Sequence, residues 1–224
     1  MHAGRGTLHR IVRKLLIHKI YFVPPPAARD QLLLDFGCGD GSYLRSIKNC
    51  VGRMAGFEAS GQHARQLQAG LGCRIYSSLE EASADLAGSV DVVTAHFVLE
   101  HLTDLHQVFH FWGQILKPGG ILHITVPNIR SYQAALFGKK WHALDPPRHI
   151  SFPEDASLAL LMEKHRFELV TRQFGIFPNL WAASMATALA GRYHHLLFLL
   201  LLPLGFILAV LMPQDTFVYT IRKI

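Results

Sequence analysis

Three glycines and one glutamate near the start of the sequence have the types and spacing of a nucleotide-binding loop. Gly37, Gly39 and Gly41 alternate with other residues directly after the apolar run Gln31–Phe36. Glycine tolerates the backbone angles of a tight turn and lets a ligand approach the main chain closely. Glu58 follows at the end of the next predicted strand, where a carboxylate can accept hydrogen bonds from both hydroxyls of a ribose. The loop and the acid together predict a site for a nucleoside-containing cofactor.

The spacing of the glycines argues against a dinucleotide. In the dinucleotide fingerprint, two residues separate the second glycine from the third, whereas Gly37, Gly39 and Gly41 are evenly spaced. Asp35, an acid shortly before the first glycine, is also atypical of a pyrophosphate-binding loop. A nicotinamide-dependent oxidoreductase is therefore the less favoured enzyme hypothesis.

Four segments carry a resemblance to a known family. They are LLLDFGCGDGSYL (32–44), GFEAS (56–60), DVVTAHFVLEHLTD (91–104) and LKPGGIL (116–122). In order and spacing they resemble the class I S-adenosylmethionine-dependent methyltransferases, in particular the group of ubiquinone-type O-methyltransferases. The resemblance runs from about Leu32 to Val126 and continues more weakly to Val170.

The resemblance implies S-adenosylmethionine as the cofactor and a role for six residues in binding it. Asp35 and Gly37 border the methionine moiety, Gly39 lets the cofactor approach, and Glu58 holds the ribose hydroxyls. His96 and Phe97 face the cofactor and the acceptor after the fourth strand. Glu100 and His101 complete a V-L-E-H element with a partly structural role.

One segment departs from the family pattern. Many relatives place an acid after the third strand, where it meets the adenine amino group, and here Tyr76-Ser77-Ser78 stands instead. Backbone groups are an alternative means of adenine recognition, so the adenine-contacting residues stay open.

The elements that must position these residues alternate between strand and helix. Short apolar runs predict strands at Gln31–Phe36, Arg53–Glu58, Arg74–Tyr76, Val90–Ala95, Ile121–Val126, Glu168–Phe174 and Thr216–Ile224. Helical patterns lie between them at Ser42–Asn49, Ser60–Leu71, Leu79–Leu86, Leu105–Leu116 and Glu154–His165, with a turn at Lys117–Gly120. Repeated strand–helix units predict an α/β fold with a doubly wound, Rossmann-like parallel sheet. The resemblance supplies seven strands, the last of them antiparallel.

The segment Pro127–Pro153 is rich in aromatics, cations and prolines, and it is placed where an active-site cover is expected. We interpret Trp141 and Arg148 as substrate-binding residues, because a guanidinium clamps anionic groups. We interpret His149 as the catalytic residue, because an imidazole titrates near neutral pH and can accept a proton from a hydroxyl acceptor. The alternative is that Arg148 and His149 only pin the loop by hydrogen bonds.

The first 26 residues predict a separate, basic amphipathic helix. Apolar residues recur at helical spacing between cations, and Pro24-Pro25-Pro26 ends the pattern. This segment contains no apolar core followed by a cleavage site, so it does not predict a secretory signal. Attachment to an anionic membrane surface is one interpretation, and an ordinary helix packed on the domain is the other.

A second apolar segment, 176–214, interrupts the catalytic domain, which we assign to 27–175 plus 215–224. Leu196–Met212 has no polar side chain and is broken by Pro203-Leu204-Gly205. The resemblance places the flanking strands Glu168–Phe174 and Thr216–Ile224 side by side in one sheet. Both ends of the segment would then lie on the same side of a membrane, so a single spanning helix is rejected. We expect instead a monotopic hairpin or kinked helix of two short arms, with Phe177–Ala190 along the membrane interface and Trp181 near the headgroups. A buried helix or a dimer interface is the alternative.

Composition narrows the function further. The net charge is +6 over 224 residues with 17% charged side chains, and no stacking aromatics accompany the cations as in RNA-binding modules. No nucleic acid is expected as a partner. Three cysteines without regular spacing predict neither a disulfide framework nor a zinc site, and no metal is expected.

The sequence and the resemblance therefore predict a methyltransferase that acts on an oxygen atom of a membrane-resident or amphiphilic small molecule or lipid. Its expected location is the cytoplasmic face of a membrane. The alternative from another class is a non-catalytic, membrane-tethered binding module of the same fold.

Overall fold

The computed structural model describes residues 30–224, so the helix expected over 1–26 lies outside the described residues. A seven-stranded sheet has the strand order β3-β2-β1-β4-β5-β7-β6. Its strands are β1 (Leu32–Phe36), β2 (Arg53–Phe57), β3 (Arg74–Tyr76), β4 (Val90–His96), β5 (Leu116–Pro127), β6 (Phe167–Gly175) and β7 (Thr216–Lys223). Strand β1 pairs in parallel with β2 and β4, and β2 pairs in parallel with β3, whereas β6 and β7 are antiparallel. The predicted mixed sheet with an antiparallel last strand is confirmed.

Helices connect most of these strands. They are α1 (Ser42–Ile47), α2 (Gly61–Leu71), α3 (Leu79–Leu86), α4 (Leu105–Ile115), α5 (Tyr132–Phe137), α6 (Asp155–Lys164), α7 (Pro178–Ala190) and α8 (His195–Leu211). Serine caps explain two of the beginnings, because the hydroxyls of Ser60 and Ser78 accept hydrogen bonds from the backbone N–H of His63 and Glu81. Three 3₁₀ turns add Leu99–His101, Gly138–Lys140 and His142–Leu144.

The chain divides into two compact units. The first contains described residues 30–94 and 114–121, and we call it unit one. Its core is a cluster of buried side chains from strands and helices of this unit. The cluster includes Leu33, Leu44, Leu67, Leu71 and Ile75. These side chains bury the inward face of α1 and α2 against strands β1 and β3, which fixes the ends of the strands where the glycine loop begins.

Unit two contains residues 95–113 and 122–224. Three aromatic rings pack together in its core: Phe109 lies 5.2 Å from Trp112 and 5.8 Å from Phe167, measured between ring centroids. All three are buried. This packing holds α4 against β6.

Three expectations about secondary structure need correction. The turn predicted at Lys117–Gly120 is wrong, because strand β5 begins at Leu116 and includes these residues. The segment Pro127–Pro153, in which no helix was predicted, contains α5 and two 3₁₀ turns. Of the two forms expected for Leu196–Met212, the hairpin is wrong, because α8 continues through Pro203 as one helix.

Helices α7 and α8 lie between β6 and β7 in the sequence and pack on each other. Gly205 is the close contact: a Cβ atom built there would lie 2.6 Å from the carbonyl oxygen of Pro178 and 3.2 Å from Cβ of Ala182. Trp181 is only 2% exposed, so the expectation that it lies near lipid headgroups is wrong. Among residues 30–224, no helix is long and apolar enough to cross a membrane.

Candidate cofactor-binding and acceptor residues

The glycine loop of unit one is a turn that only glycine adopts easily at three positions. Gly37, Gly39 and Gly41 all have positive φ angles, of 73°, 52° and 70°. The backbone N–H groups of Gly37 and Cys38 both donate to the carbonyl oxygen of Phe57, at 2.9 and 3.0 Å. The end of strand β2 therefore holds the loop in place.

The glycines of this loop serve different purposes. A Cβ atom at Gly41 would lie 2.9 Å from Cδ1 of Leu71, so this glycine is needed for close packing of the loop on α2. A Cβ atom at Gly39 would meet only the carbonyl oxygen of Gly37, at 4.0 Å. Gly39 therefore faces open space, which is where a ligand would approach the backbone.

Glu58 lies beside this loop at the end of β2. Its Oε2 accepts a hydrogen bond from the backbone N–H of Gly39 at 3.2 Å, and its Oε1 accepts one from the N–H of Ser60 at 3.1 Å. Each carboxylate oxygen has capacity for another donor. The carboxylate thus orders the loop and the start of α2, and it can still accept hydrogen bonds from a ribose diol.

Asp35 is buried beneath the loop. Thr94 Oγ1 donates to Asp35 Oδ1 at 2.7 Å. Burial raises the pKa of this carboxyl to about 7, although the threonine hydrogen bond acts in the opposite direction. A positively charged ligand group nearby would favour the carboxylate form, which suits the predicted place beside a methionine moiety. Thr94 was not predicted, and no short motif in the sequence identifies it.

The remaining predicted residues lie in unit two. His96 Nδ1 is 2.9 Å from Thr125 Oγ1, and burial, together with His123, lowers its pKa to about 3. Its imidazole is therefore neutral near pH 7. Phe97 has a positive φ of 56°, which is strained for an aromatic residue and is typical of functional positions. Its backbone N–H donates to the Thr125 carbonyl oxygen, and its ring meets Phe177 edge-on at 5.0 Å.

The cover segment is tied to the Leu99–His101 turn. The backbone N–H groups of Ile150 and Ser151 donate to the carbonyl oxygen of Glu100, at 2.9 and 3.3 Å. His101 Nδ1 lies 2.9 Å from the carbonyl oxygen of Arg148. The V-L-E-H element is thus the support on which this end of the cover segment rests.

His149 lies against the same turn. Its Nδ1 donates to the Ala143 carbonyl oxygen at 2.6 Å, which places the proton on Nδ1 and leaves Nε2 as an acceptor. Nε2 is 3.9 Å from Glu100 Oε1. Burial lowers the pKa of His149, so the neutral ring is favoured near pH 7. The Nδ1 bond is what pinning requires, and the free Nε2 is what a proton acceptor requires, so both interpretations fit this geometry.

Glu100, in the Leu99–His101 turn, has surroundings that the sequence did not predict. Its side chain is fully buried, neither carboxylate oxygen has a hydrogen-bond partner, and burial raises its pKa to about 8. The candidate ligand atoms of Glu100, His101 and His149 lie within 4.8 Å of one another. The group could therefore hold a proton, or a metal ion that the sequence did not predict.

Trp141 and Arg148 differ in their surroundings. Trp141 is 2% exposed and donates from its indole nitrogen to Gln133 Oε1 at 2.8 Å. It also borders a cavity of about 350 Å³ that is lined by residues 129–144, with Arg130 and Lys139 among them. Arg148 is largely exposed and forms an ion pair with Asp145 inside the loop. Trp141 thus lines a cavity, whereas Arg148 has an ion-pair partner within the loop; the substrate-binding role of both stays a prediction.

Comparisons with known proteins identify the family of this chain. Residues 8–172 match the model of a methyltransferase domain family. The ubiquinone biosynthesis O-methyltransferase of Vibrio parahaemolyticus is 32% identical over 115 residues, which is 47% of this chain and 48% of the relative. The mitochondrial enzyme of that name from Mus musculus is 33% identical over 113 residues, 46% of this chain and 30% of the relative. The chain thus spans about half or less of the length of these relatives.

Solved structures show the same fold. A geranyl diphosphate C-methyltransferase from Streptomyces coelicolor superposes with a TM-score of 0.59 at 16% identity, covering 98% of this chain and 81% of that one. A putative sarcosine dimethylglycine methyltransferase from Galdieria sulphuraria gives a TM-score of 0.59 at 15% identity, with 98% and 86% covered.

Proposed function

Because this chain belongs to the methyltransferase domain family, we propose that it transfers a methyl group from S-adenosylmethionine to an oxygen atom of a small amphiphilic acceptor. The cofactor supplies an activated methyl group, so the protein has to bind, orient and desolvate the reactants. The glycine loop with Glu58 is the observation that carries the proposal.

The residues of unit one suit this cofactor. Gly39 leaves open space at the loop, and the Glu58 carboxylate, already ordered by two backbone N–H groups, retains acceptor capacity for ribose hydroxyls. Asp35 is buried and has a pKa raised to about 7, and we assign it to the methionine moiety, whose positive charge would favour the carboxylate form. These three residues would hold the cofactor without reorganisation of the backbone.

We assign proton acceptance to His149 in unit two. Its neutral ring carries the proton on Nδ1, so Nε2 can take the proton of a hydroxyl acceptor. The resulting imidazolium would lie 3.9 Å from Glu100. Burial raises the pKa of this carboxyl to about 8, so it is largely protonated near pH 7 and stabilises the imidazolium only in its ionised form. The pair Glu100–His149 is therefore suited to accept one proton per methyl transfer.

Two observations support the proposed chemical class of the methyl acceptor. Relatives that share about a third of the aligned residues are named ubiquinone biosynthesis O-methyltransferases, which favours an oxygen acceptor on an amphiphilic molecule. The 350 Å³ cavity of unit two combines alanine and tryptophan side chains with Arg130 and Lys139. Such a cavity suits an apolar molecule with an anionic or hydroxylated head.

Two experiments test the proposal in sequence. Isothermal titration with S-adenosylhomocysteine and with NADH should give binding of the former alone, and binding of NADH alone would refute the cofactor assignment. Membrane lipids incubated with labelled methyl donor should then gain label only in the presence of the protein. Binding of S-adenosylhomocysteine without any labelled product would favour a non-catalytic binding module.

A further inference from the structure

Helix α8 presents a continuous apolar face to the solvent. Its exposed side chains recur every three or four residues along the helix, which is the spacing of one helical face. They include Leu196, Leu200, Leu204, Ile207 and Leu211, each between 44% and 72% exposed. Monomeric soluble proteins rarely expose so long an apolar stripe, and such surfaces mark contacts with membranes or other proteins.

The opposite face of α8 accounts for its position in the fold. Gly205 and Ala209 are the buried residues of this helix, and Gly205 contacts the backbone of α7 at Pro178 and Ala182. The helix is thus anchored to unit two by its small residues. No residue of the described chain covers the exposed stripe.

The formal charges at the turn between α7 and α8 are positive. Between Gln173 and Gln214, Arg192 is the only residue with a formal charge. Lys140 lies close by, because its Nζ donates to the carbonyl oxygen of Ala188 in the last turn of α7 at 3.1 Å, and Lys139 precedes it. These cations stand near the turn between α7 and α8, where Tyr193 is also half exposed. Cations beside an apolar face and an aromatic ring match an anionic bilayer interface.

We propose that the exposed face of α8 docks on an anionic lipid bilayer, with the helix lying in the interface and Lys139, Lys140 and Arg192 contacting headgroup phosphates. A helix that lies in the interface buries one face in the acyl region and keeps its other side on the protein. This orientation uses the two features of α8 together, the small residues against α7 and the large ones facing outward. The inference does not depend on methyl transfer, because docking needs neither cofactor nor acceptor.

Flotation with lipid vesicles tests the docking surface on the full chain. The protein should float with phosphatidylcholine vesicles that contain phosphatidylglycerol, and less with phosphatidylcholine alone. Leu200→Asp should lower the vesicle partition coefficient about tenfold or more, because a charge would enter the apolar layer. The matched control is Leu160→Asp on α6, because Leu160 and Leu200 are both 68% exposed. All variants retain residues 1–29, so the contribution of that stretch is constant.

Charge reversal tests the second half of the proposal. Arg192→Glu should weaken flotation on phosphatidylglycerol vesicles several-fold and reduce its salt dependence, whereas Lys164→Glu on α6 should not. Equal partitioning of Leu200→Asp and Leu160→Asp would overturn the proposal. A second result would also overturn the proposal: the wild-type protein is a dimer that does not float with vesicles, and Leu200→Asp converts it to a monomer. The exposed face would then bind a second copy of the chain. Circular dichroism confirms that each variant is folded.

Discussion

Replacement of Glu58 by alanine tests the cofactor site most directly. The carboxylate accepts hydrogen bonds from Gly39 and Ser60 at 3.2 and 3.1 Å, so it has one further acceptor position on each oxygen for the ribose diol. Hydrogen bonds to a charged group contribute roughly 1.5–3 kcal/mol each. Glu58 is partly exposed, so solvent favours the lower end of that range for each of the two bonds.

The expected loss is therefore about 3 kcal/mol, which corresponds to roughly a hundredfold increase in Kd for S-adenosylhomocysteine. Isothermal titration measures this value, and Glu80→Ala, which removes an exposed carboxylate of the same unit, is the control with unchanged affinity. Glu58→Gln should fall between the two, because its amide oxygen keeps one acceptor but its NH₂ group faces an N–H donor. Chemical denaturation checks that the loop survives. A Glu58→Ala variant with the affinity of the Glu80→Ala control would refute the assignment of the ribose site.

Three further predictions concern the other site residues. Gly39→Val should weaken S-adenosylhomocysteine binding more than Glu58→Ala, because its side chain would fill the open space at a backbone with φ of 52°; titration measures this, and wild-type affinity would contradict it. Glu100→Gln should match wild type in stability below pH 4.5 and exceed it increasingly up to pH 8. Burial raises the pKa of Glu100 to about 8, so the folded protein binds this proton more tightly than the unfolded chain does, and wild type loses stability as the pH rises. The difference in free energy of unfolding, on the order of 3 kcal/mol at neutral pH, is measured by denaturant titration, and a pH-independent difference would contradict the prediction. His149→Ala should lower kcat on a hydroxyl acceptor by about a hundredfold or more while leaving cofactor affinity nearly intact; equal losses of both would indicate pinning alone.

The sequence predicted the strands and the cofactor loop well because their signals are local. Short apolar runs that end in glycine mark β1 and its loop, and the periodic patterns of α2 and α3 carry serine caps at their first residues. Positive φ at Gly37, Gly39 and Gly41 is the conformation that glycine alone tolerates well, so the motif itself predicts the turn. The boundaries of the predicted strands agree within one or two residues except at β5, which begins at Leu116, five residues earlier than predicted.

The cover segment was less predictable because its structure depends on partners far apart in sequence. Trp141 is buried through an indole hydrogen bond to Gln133, and Ser184 on α7 accepts a hydrogen bond from the backbone N–H of His142. No periodic pattern announces such contacts. The sequence left a hairpin and a kinked helix open at Pro203 for a related reason: a proline inside a helix is costly in isolation, but packing of Gly205 on α7 supports the helix just beyond it.

Pinning and proton acceptance by His149 use different atoms of the ring, so they are separable properties. Nδ1 donates to the Ala143 carbonyl oxygen and fixes the ring, whereas Nε2 is directed to Glu100. An asparagine at this position can place its amide N–H near the Nδ1 position and keep the first bond, but it has no atom equivalent to Nε2. His149→Asn therefore removes the proton acceptor while it retains the pin, and His149→Ala removes both. If the ring only pins the loop, the asparagine variant keeps its activity; if Nε2 accepts the proton, both variants lose it, and only the alanine variant also loosens the cover segment.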